Sequence, residues 1–326
     1  MYQVYQTIDG ELQKVDSLDG KGLWIEMIDP SDEEINLVAE ATGLEADLLK
    51  AALDEEERPR IETGECQVLI LINIPVVDGD NGGSYFYDTL PLGVVINNNV
   101  VVTVCLKNNP LYEELHKPRI ARTIHTVKKT RFLLQILLHT AALFLRYLRL
   151  IDRKSNEIEQ ELHVSTRNEE LIKLLNLEKS LVYFTTSLRS NEIVMEKLLR
   201  SKLLKVDEDA QVTSRILKMY EEDEELLEDV ITENKQAIEM AEIYSNILSG
   251  MMDAFASVIS NNLNIVMKFL AAITIILALP TMVASFYGMN VGLPFQDSPN
   301  AFWLVLGISG LFVAVSTYIM MKKRML

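Results

Sequence analysis

The stretch Tyr287-Gly288-Met289-Asn290 combines residues that suit ion recognition, at the point where a long uncharged run ends and a polar loop begins. The run from Phe269 to Tyr287 has no ionisable side chain except the tyrosine. As a helix it is roughly 28 Å long, about the thickness of the hydrocarbon core of a bilayer. Asn290 then places an amide at the end of this span. Its oxygen can accept hydrogen bonds from the water shell of an ion without replacing those waters.

A second uncharged run, Ala301 to Met321, follows the loop 288–300, so the two runs predict a membrane hairpin. Lys268 precedes the first run and Lys322-Lys323-Arg324 follows the second, whereas the loop holds no Lys or Arg. Positive residues favour the cytoplasmic side, and the chain starts without a signal-peptide pattern. We therefore expect a cell (inner) membrane protein with two spans in the lipid bilayer and both termini in the cytoplasm.

An isolated Gly-Met-Asn tripeptide is compatible with a simple helix stop. Here Tyr287 precedes it, Pro280-Thr281 lies upstream, and a second span with a basic end follows. This combination resembles the CorA family of divalent-cation transporters. The resemblance extends over the chain, with a soluble amino-terminal domain, long helices and two carboxy-terminal spans. It implies a homopentamer whose selectivity filter is Gly288, Met289 and Asn290, with five asparagines around the outer mouth.

One face of the first span mixes small, polar and apolar residues at spacings of three or four. Five such helices around an axis would form a narrow tube with hydroxyl and amide rings, gated by dewetting at apolar rings. The span contains no carboxylate, and magnesium gives up water reluctantly, so the tube should pass hydrated ions. For any single position, helix packing explains the residue equally well. The predicted pore-lining residues are Asn264, Met267, Leu270, Thr274, Ala278, Thr281 and Ser285.

The resemblance also implies a regulatory site where cytoplasmic Mg²⁺ binds between neighbouring subunits. The matching positions are Asp229 on the long helix and Asp78 at the end of a strand, and Asp253 is a weaker candidate. Bound Mg²⁺ would offset the repulsion between carboxylates and hold the pore closed, and its loss would free the helices to open it. A solvated acidic surface is the alternative interpretation of these residues.

The residues before the spans predict an α+β cytoplasmic domain, of the α/β sandwich type, with a long helical stalk. Ser31 and Glu34 form a capping box for a helix that Gly43 ends. Two cysteines, Cys66 and Cys105, are expected to be buried thiols without a disulfide. Strands are expected at Leu23–Ile28, Cys66–Ile74 and Val94–Leu106, with a turn at Asn97-Asn98-Asn99.

The middle of the chain is rich in good helix formers, which predicts an antiparallel pair of helices from Tyr112 to His163 and from Arg167 to Leu204, joined at Val164-Ser165-Thr166. A third helix is expected from Asp207 without a break to Tyr287. The predicted divisions are 1–110 for the α/β domain, 111–206 for the helix pair, 207–287 for the stalk with the first span at about 266–287, 288–300 for the external loop, 301–321 for the second span and 322–326 for a basic cytoplasmic tail.

The net charge of −16, from 47 acidic and 31 basic residues, argues against nucleic acid as a partner and favours cations. The sequence contains no glycine-rich nucleotide motif, no histidine or cysteine zinc motif and no catalytic constellation, so we do not expect an enzyme.

The leading hypothesis is a channel-like homopentamer that transports magnesium, with Co²⁺ or Ni²⁺ as further ions. The loop Val291 to Asp297 has one acid, fewer than many family members, which leaves the preferred ion open. The second hypothesis is a carrier of zinc or another transition metal, with or without proton coupling. Met289 favours the magnesium transporters of the family over its zinc transporters. A membrane-anchored sensor or scaffold that transports nothing is the third.

Overall fold

The computed structural model describes residues 1–64, 66–81, 84–164, 168–203, 216–295 and 299–323. The chain divides into two compact units, Met1–Met251 and Met252–Leu326.

The first unit contains a seven-stranded mixed sheet in the order β2-β1-β3-β7-β6-β5-β4. Neighbouring strands are antiparallel except β3 and β7, which are parallel and pair Leu23 with Val100. The strands are β1 Tyr2–Ile8, β2 Glu11–Val15, β3 Leu23–Ile28, β4 Arg60–Thr63, β5 Gln67–Asn81, β6 Ser84–Asn97 and β7 Val100–Cys105.

Helices cover both faces of this sheet because its central strands are apolar on both sides, and every residue of β7 is buried. On one face lie helices α1 (Asp32–Thr42) and α2 (Ala46–Lys50), followed by a 3₁₀ turn, Ala51–Leu53. On the other face lie longer helices, whose buried side chains form a second core with the sheet. The remaining helices within the described residues are α3 Pro110–Leu115, α4 Pro118–Ala121, α5 Lys129–Val164, α6 Asn168–Leu203, α7 Glu221–Tyr287 and α8 Ala301–Lys322.

Local signals in the α/β domain are confirmed. The Ser31 hydroxyl accepts from the Glu34 N–H while the Glu34 carboxylate accepts from the Ser31 N–H, and Gly43 ends α1 with φ of 70°. The strand Leu23–Ile28 has the predicted bounds. Between β6 and β7, the Asn97 side chain accepts from the backbone N–H groups of Asn99 and Val100, at 2.8 and 2.9 Å. This side chain fixes the predicted turn.

Two predicted helix starts are wrong. The helix expected from Tyr112 is broken, because Lys117 precedes Pro118 and takes an extended conformation, and the continuous helix begins only at Lys129. The long helix begins at Glu221 rather than near Asp207. There the Asp223 carboxylate accepts from the Tyr220 N–H at 3.2 Å and caps the helix. Asp207 and the predicted turn residues Ser165 and Thr166 lie outside the described residues, as does the end of the basic tail, 324–326.

The two cysteines differ in environment. Cys105, at the end of β7, is buried, and burial raises the pKa of its thiol. Cys66 is exposed, which corrects the prediction that it is a buried thiol. It precedes Gln67, the first residue of β5 that pairs with β6, so the sheet does not cover it.

Trp24 is the largest fully buried side chain of the first unit. Its Nε1–H donates to Thr103 Oγ1 at 2.9 Å, and its ring stacks on His116 and meets Phe132 edge-on. We expect Trp24→Ala to lower the free energy of unfolding by about 3–5 kcal/mol, because it leaves a cavity and removes the donor to Thr103.

Chemical denaturation of the full chain in detergent, followed by circular dichroism, measures this loss. Trp303→Ala is the matched control, since Trp303 is 68% exposed and lies in the second unit. Equal shifts of the first-unit transition in both variants would contradict the assigned role of Trp24.

Three described helices are long and apolar enough to cross a membrane: α5, α7 and α8. The most apolar window of α5 is 61% buried, so its apolar residues belong to the core of the first unit. The corresponding windows of α7 and α8 are 6% and 0% buried. These two helices carry apolar surface that the described chain does not cover, as expected of segments that face lipid.

Candidate functional site

The Tyr287-Gly288-Met289-Asn290 stretch forms the end of α7 and the turn that follows it. Tyr287 is the last residue of the helix. The Gly288 N–H donates to the Ala284 carbonyl at 3.0 Å, and the Met289 N–H donates to the Phe286 carbonyl at 3.2 Å. Asn290 is exposed. Its amide therefore lies just beyond the last hydrogen-bonded turn, where it is accessible to an ion at the helix end.

Gly288 allows the backbone to turn closely against the helix. A Cβ atom at this position would lie 3.3 Å from the Ala284 carbonyl oxygen and 3.6 Å from that of Ser285, so even a methyl group would be tightly confined. The Tyr287 hydroxyl donates to the Pro294 carbonyl at 3.4 Å and ties the loop back to the helix end. The sequence analysis did not predict this contact. Pro294, in the loop after the Tyr287–Asn290 signature, was the sequence feature that could have indicated it.

Pro280 lies inside α7 and removes one backbone donor, which leaves the Ile276 carbonyl without its usual helical partner. Two hydroxyls nearby bond to the helix itself. Thr274 Oγ1 donates to the Leu270 carbonyl at 2.8 Å, and Thr281 Oγ1 donates to the Leu277 carbonyl at 2.7 Å. Because each hydroxyl proton is used within the helix, each oxygen presents its lone pairs as an acceptor. Acceptors suit the water protons of a hydrated cation.

The seven predicted pore-lining residues are all exposed in the single chain. The covered residues of the same segment recur on a different face: Ala272, Ile273, Ile276, Leu279, Pro280, Val283 and Tyr287. At about 100° per residue, the centres of the two sets lie roughly opposite each other around the helix. Half-covered residues on α8 also recur at helical spacing, including Val305, Ser309, Val313 and Ser316. The predicted pore face of α7 is therefore bare in the single chain.

The aspartates predicted to bind regulatory Mg²⁺ lie in the first unit, except Asp253, which lies at the start of the second. Asp229 is exposed on α7, between Leu227 and Val230, which are both fully buried. The helix therefore directs this carboxylate away from its own core. Asp253 is also exposed, and its carbonyl accepts from Ser257 Oγ at 3.0 Å.

Asp78 lies in β5 where the register with β6 shifts between Asp78 and Asp80, and its side chain is outside what the structure describes. Within the described residues, no group of three or more His, Cys, Asp or Glu side chains could hold a metal ion. The described part of one chain thus supplies separate carboxylates rather than a complete site.

Comparisons with known proteins show the family of this chain. Residues 19–324 match the family of CorA-like Mg²⁺ transporter proteins. The chain is 29% identical to a cobalt/magnesium transport protein CorA of Methanocaldococcus jannaschii, over 97% of this chain and 95% of that protein. It is 25% identical to the cobalt/magnesium transport protein CorA of Thermotoga maritima, over 90% of this chain and 80% of that protein.

The fold also matches a solved structure. The complete structure of the CorA magnesium transporter from Methanocaldococcus jannaschii superposes with a TM-score of 0.78 at 28% identity, covering 98% of this chain and 96% of that one. The long helices, the mixed sheet and the two exposed apolar helices are therefore those of a transporter architecture. This chain belongs to the family of CorA-like Mg²⁺ transporter proteins, membrane transporters of divalent cations.

Proposed function

We propose that this protein is a homopentameric, channel-like Mg²⁺ transporter that passes hydrated ions. The observation that carries the proposal is the bare face of α7, on which hydroxyl and amide groups lead to the Gly288-Met289-Asn290 turn. Polar groups on one stripe of a membrane helix favour a protein partner or a water-filled cavity over lipid, and copies of the same helix around an axis supply both. Co²⁺ and Ni²⁺ are further ions for the same pore.

Selection at the outer end rests on Asn290. Mg²⁺ holds its waters tightly, and no carboxylate in the span could replace them. Five amide oxygens would accept hydrogen bonds from those waters and recognise the size and charge of the hydrated ion. Met289 packs beside this ring, and Gly288 lets the backbone approach it.

Within the pore, oxygen acceptors at Thr274, Thr281 and Ser285 would hold the hydrated ion in successive positions. Their spacing along the helix, seven and then four residues, corresponds to roughly 10 and 6 Å. Met267 and Leu270, 58% and 52% exposed in the single chain, would form apolar rings that exclude water when the helices close. Asn264 would form an amide ring at the cytoplasmic end.

We place α8 and the last part of α7 across the cell (inner) membrane. Lys268 and the Lys322-Lys323 pair then lie on the cytoplasmic side, and both termini are cytoplasmic, in agreement with the charge rule for membrane loops. Trp303 and Phe302, which are 68% and 69% exposed at the start of α8, suit the opposite interface.

Regulation is assigned to Mg²⁺ bound between subunits by Asp229 and Asp78. The exposure of Asp229 supports this role. We expect Asp229→Ala to raise the Mg²⁺ concentration that protects the first unit from proteolysis by about tenfold, since a lost charged ligand is commonly worth 1–2 kcal/mol.

Limited proteolysis over a series of Mg²⁺ concentrations measures this shift. Glu239→Ala serves as the control. Glu239 is an exposed acid on the same helix, and its replacement by alanine removes the same charge. Identical digestion of wild type and Asp229→Ala would remove Asp229 from the regulatory site.

Growth of cells tests the transport function. The full chain is expressed in bacteria that lack their own magnesium transporters, and we expect growth at low external Mg²⁺. Membrane-inserted protein that gives no growth would contradict the proposal.

A further inference from the structure

A cavity of about 910 Å³ lies in the first unit, between the start of α5 and the start of α7. Its size is in the range of sites that bind nucleotides and drug-sized molecules. We call it the basic cavity. Its lining includes three lysines, two rim side chains and a loop amide: Lys128, Lys129, Lys218, Val127, Tyr220 and Asn98.

Two of the three acidic side chains that line the cavity interact with Arg131. The Arg131 guanidinium donates to the Glu222 carboxylate at 3.0 Å and lies 3.9 Å from that of Asp223. Asp223 also caps α7 through the Tyr220 N–H. Glu222 and Asp223 are therefore engaged with Arg131 and with the backbone, and Glu221 in the same turn is exposed.

Three lysines also line the cavity. Among the described residues, none of their ammonium groups lies within ion-pair distance of a carboxylate. Lys129 Nζ donates to the Asn97 carbonyl at 2.7 Å, which leaves two of its three donors. Burial and the neighbouring Lys218 ammonium lower the pKa of Lys129. Lys129 and Lys218 line the same cavity and repel each other, and a bound anion would offset that repulsion.

Two exposed side chains add apolar surface to the lining. Tyr220 and Val127 are 69% and 68% exposed, a high value for side chains of their size. An aromatic ring next to a cluster of ammonium groups matches a ligand with a flat ring and a charged tail.

We propose that the basic cavity binds a polyphosphate anion, with Lys128, Lys129 and Lys218 holding the phosphate oxygens. Where the polyphosphate is part of a nucleotide, Tyr220 contacts the base. Lysine ammonium groups bind phosphate as point charges and need no fixed fork geometry. The proposal is independent of the transport mechanism, because every residue of the cavity lies in the first unit.

Isothermal titration calorimetry of the full chain in detergent tests the site, with tripolyphosphate and ATP as separate probes. The buffer contains no divalent cation, because both probes chelate Mg²⁺. We expect binding that weakens about tenfold in Lys218→Gln and in Lys128→Gln, since each removes one charge-assisted contact. Both side chains are exposed, so these variants should fold normally. Lys218→Arg should keep most of the affinity.

Lys154→Gln is the matched control. It removes the same charge from α5, about 37 Å along the helix from Lys129. Binding of ATP that is tighter than that of tripolyphosphate, and is weakened by Tyr220→Ala, would identify a nucleotide site. Equal binding of the two probes would identify a site for the polyphosphate alone, and either result supports the proposal. No binding at millimolar probe, or the same loss in Lys154→Gln as in Lys218→Gln, would overturn it.

Discussion

Asn290→Ala is expected to abolish Mg²⁺ flux while leaving the oligomer assembled. Asn290 is exposed beyond the last turn of α7, and that turn is held by hydrogen bonds from the backbone N–H groups of Gly288 and Met289 and from the Tyr287 hydroxyl. Replacing the amide with a methyl group should therefore leave the turn intact. It would remove all five acceptors that recognise the water shell of the ion, so we expect a loss of at least about 100-fold, because each lost acceptor weakens the bound ion.

Flux into liposomes and the mass of the detergent-solubilised oligomer should be measured on the same preparation. Asn300→Ala is the matched control, because Asn300 is an exposed asparagine at the start of α8 and lies outside the signature. Flux at the wild-type level in Asn290→Ala would rule out the asparagine ring as the selectivity filter.

Leu270→Asn is expected to leave the pore conducting under conditions that close the wild-type protein. Leu270 is 52% exposed on the bare face of α7, one turn from Met267. If these apolar rings close the pore by excluding water, an amide at one ring should keep it wet. We expect Mg²⁺ flux at high internal Mg²⁺ to rise by about tenfold or more, since a closing barrier of a few kcal/mol would fall.

Flux into liposomes preloaded with Mg²⁺ measures this effect. Ile265→Asn is the control, because Ile265 is 55% exposed near the same end of the segment but lies on the opposite face. If both variants retain closure at high internal Mg²⁺, the apolar rings are not the gate.

Much of the fold could be predicted because its signals are local. The capping box of Ser31 and Glu34, the stop at Gly43 and the apolar strand Leu23–Ile28 each depend on residues within a few positions. The strands β1 and β2 were not predicted, since most of their residues are only partly buried or exposed and the alternation is weak. The parallel pairing of Leu23 with Val100 depends on contacts far apart in sequence, which no local pattern specifies.

The errors have local physical causes as well. Pro118 follows Lys117 and breaks the predicted helix, and Asp223 caps a helix that begins later than the composition suggested. Good helix formers favour a helix but do not fix where it starts.

The candidate pore face rests on the periodicity of the sequence. Spacings of three and four from Ser285 select a face whose residues are all exposed, and its role as a pore stays a prediction. The regulatory site was harder to predict from the sequence. Asp229 and Asp78 belong to different elements, and the proposed contact between them requires a second copy of the chain.

Mg²⁺ flux into liposomes that contain the purified full chain, with Zn²⁺ and a proton gradient tested in parallel, is the most direct test of the proposed transport. We expect Mg²⁺ flux that needs no proton gradient and is lost in Asn290→Ala. Flux of Zn²⁺ alone, or flux only with a proton gradient, would contradict it and assign the protein to a carrier mechanism. Absence of flux for both ions would contradict transport itself and favour a membrane-anchored scaffold.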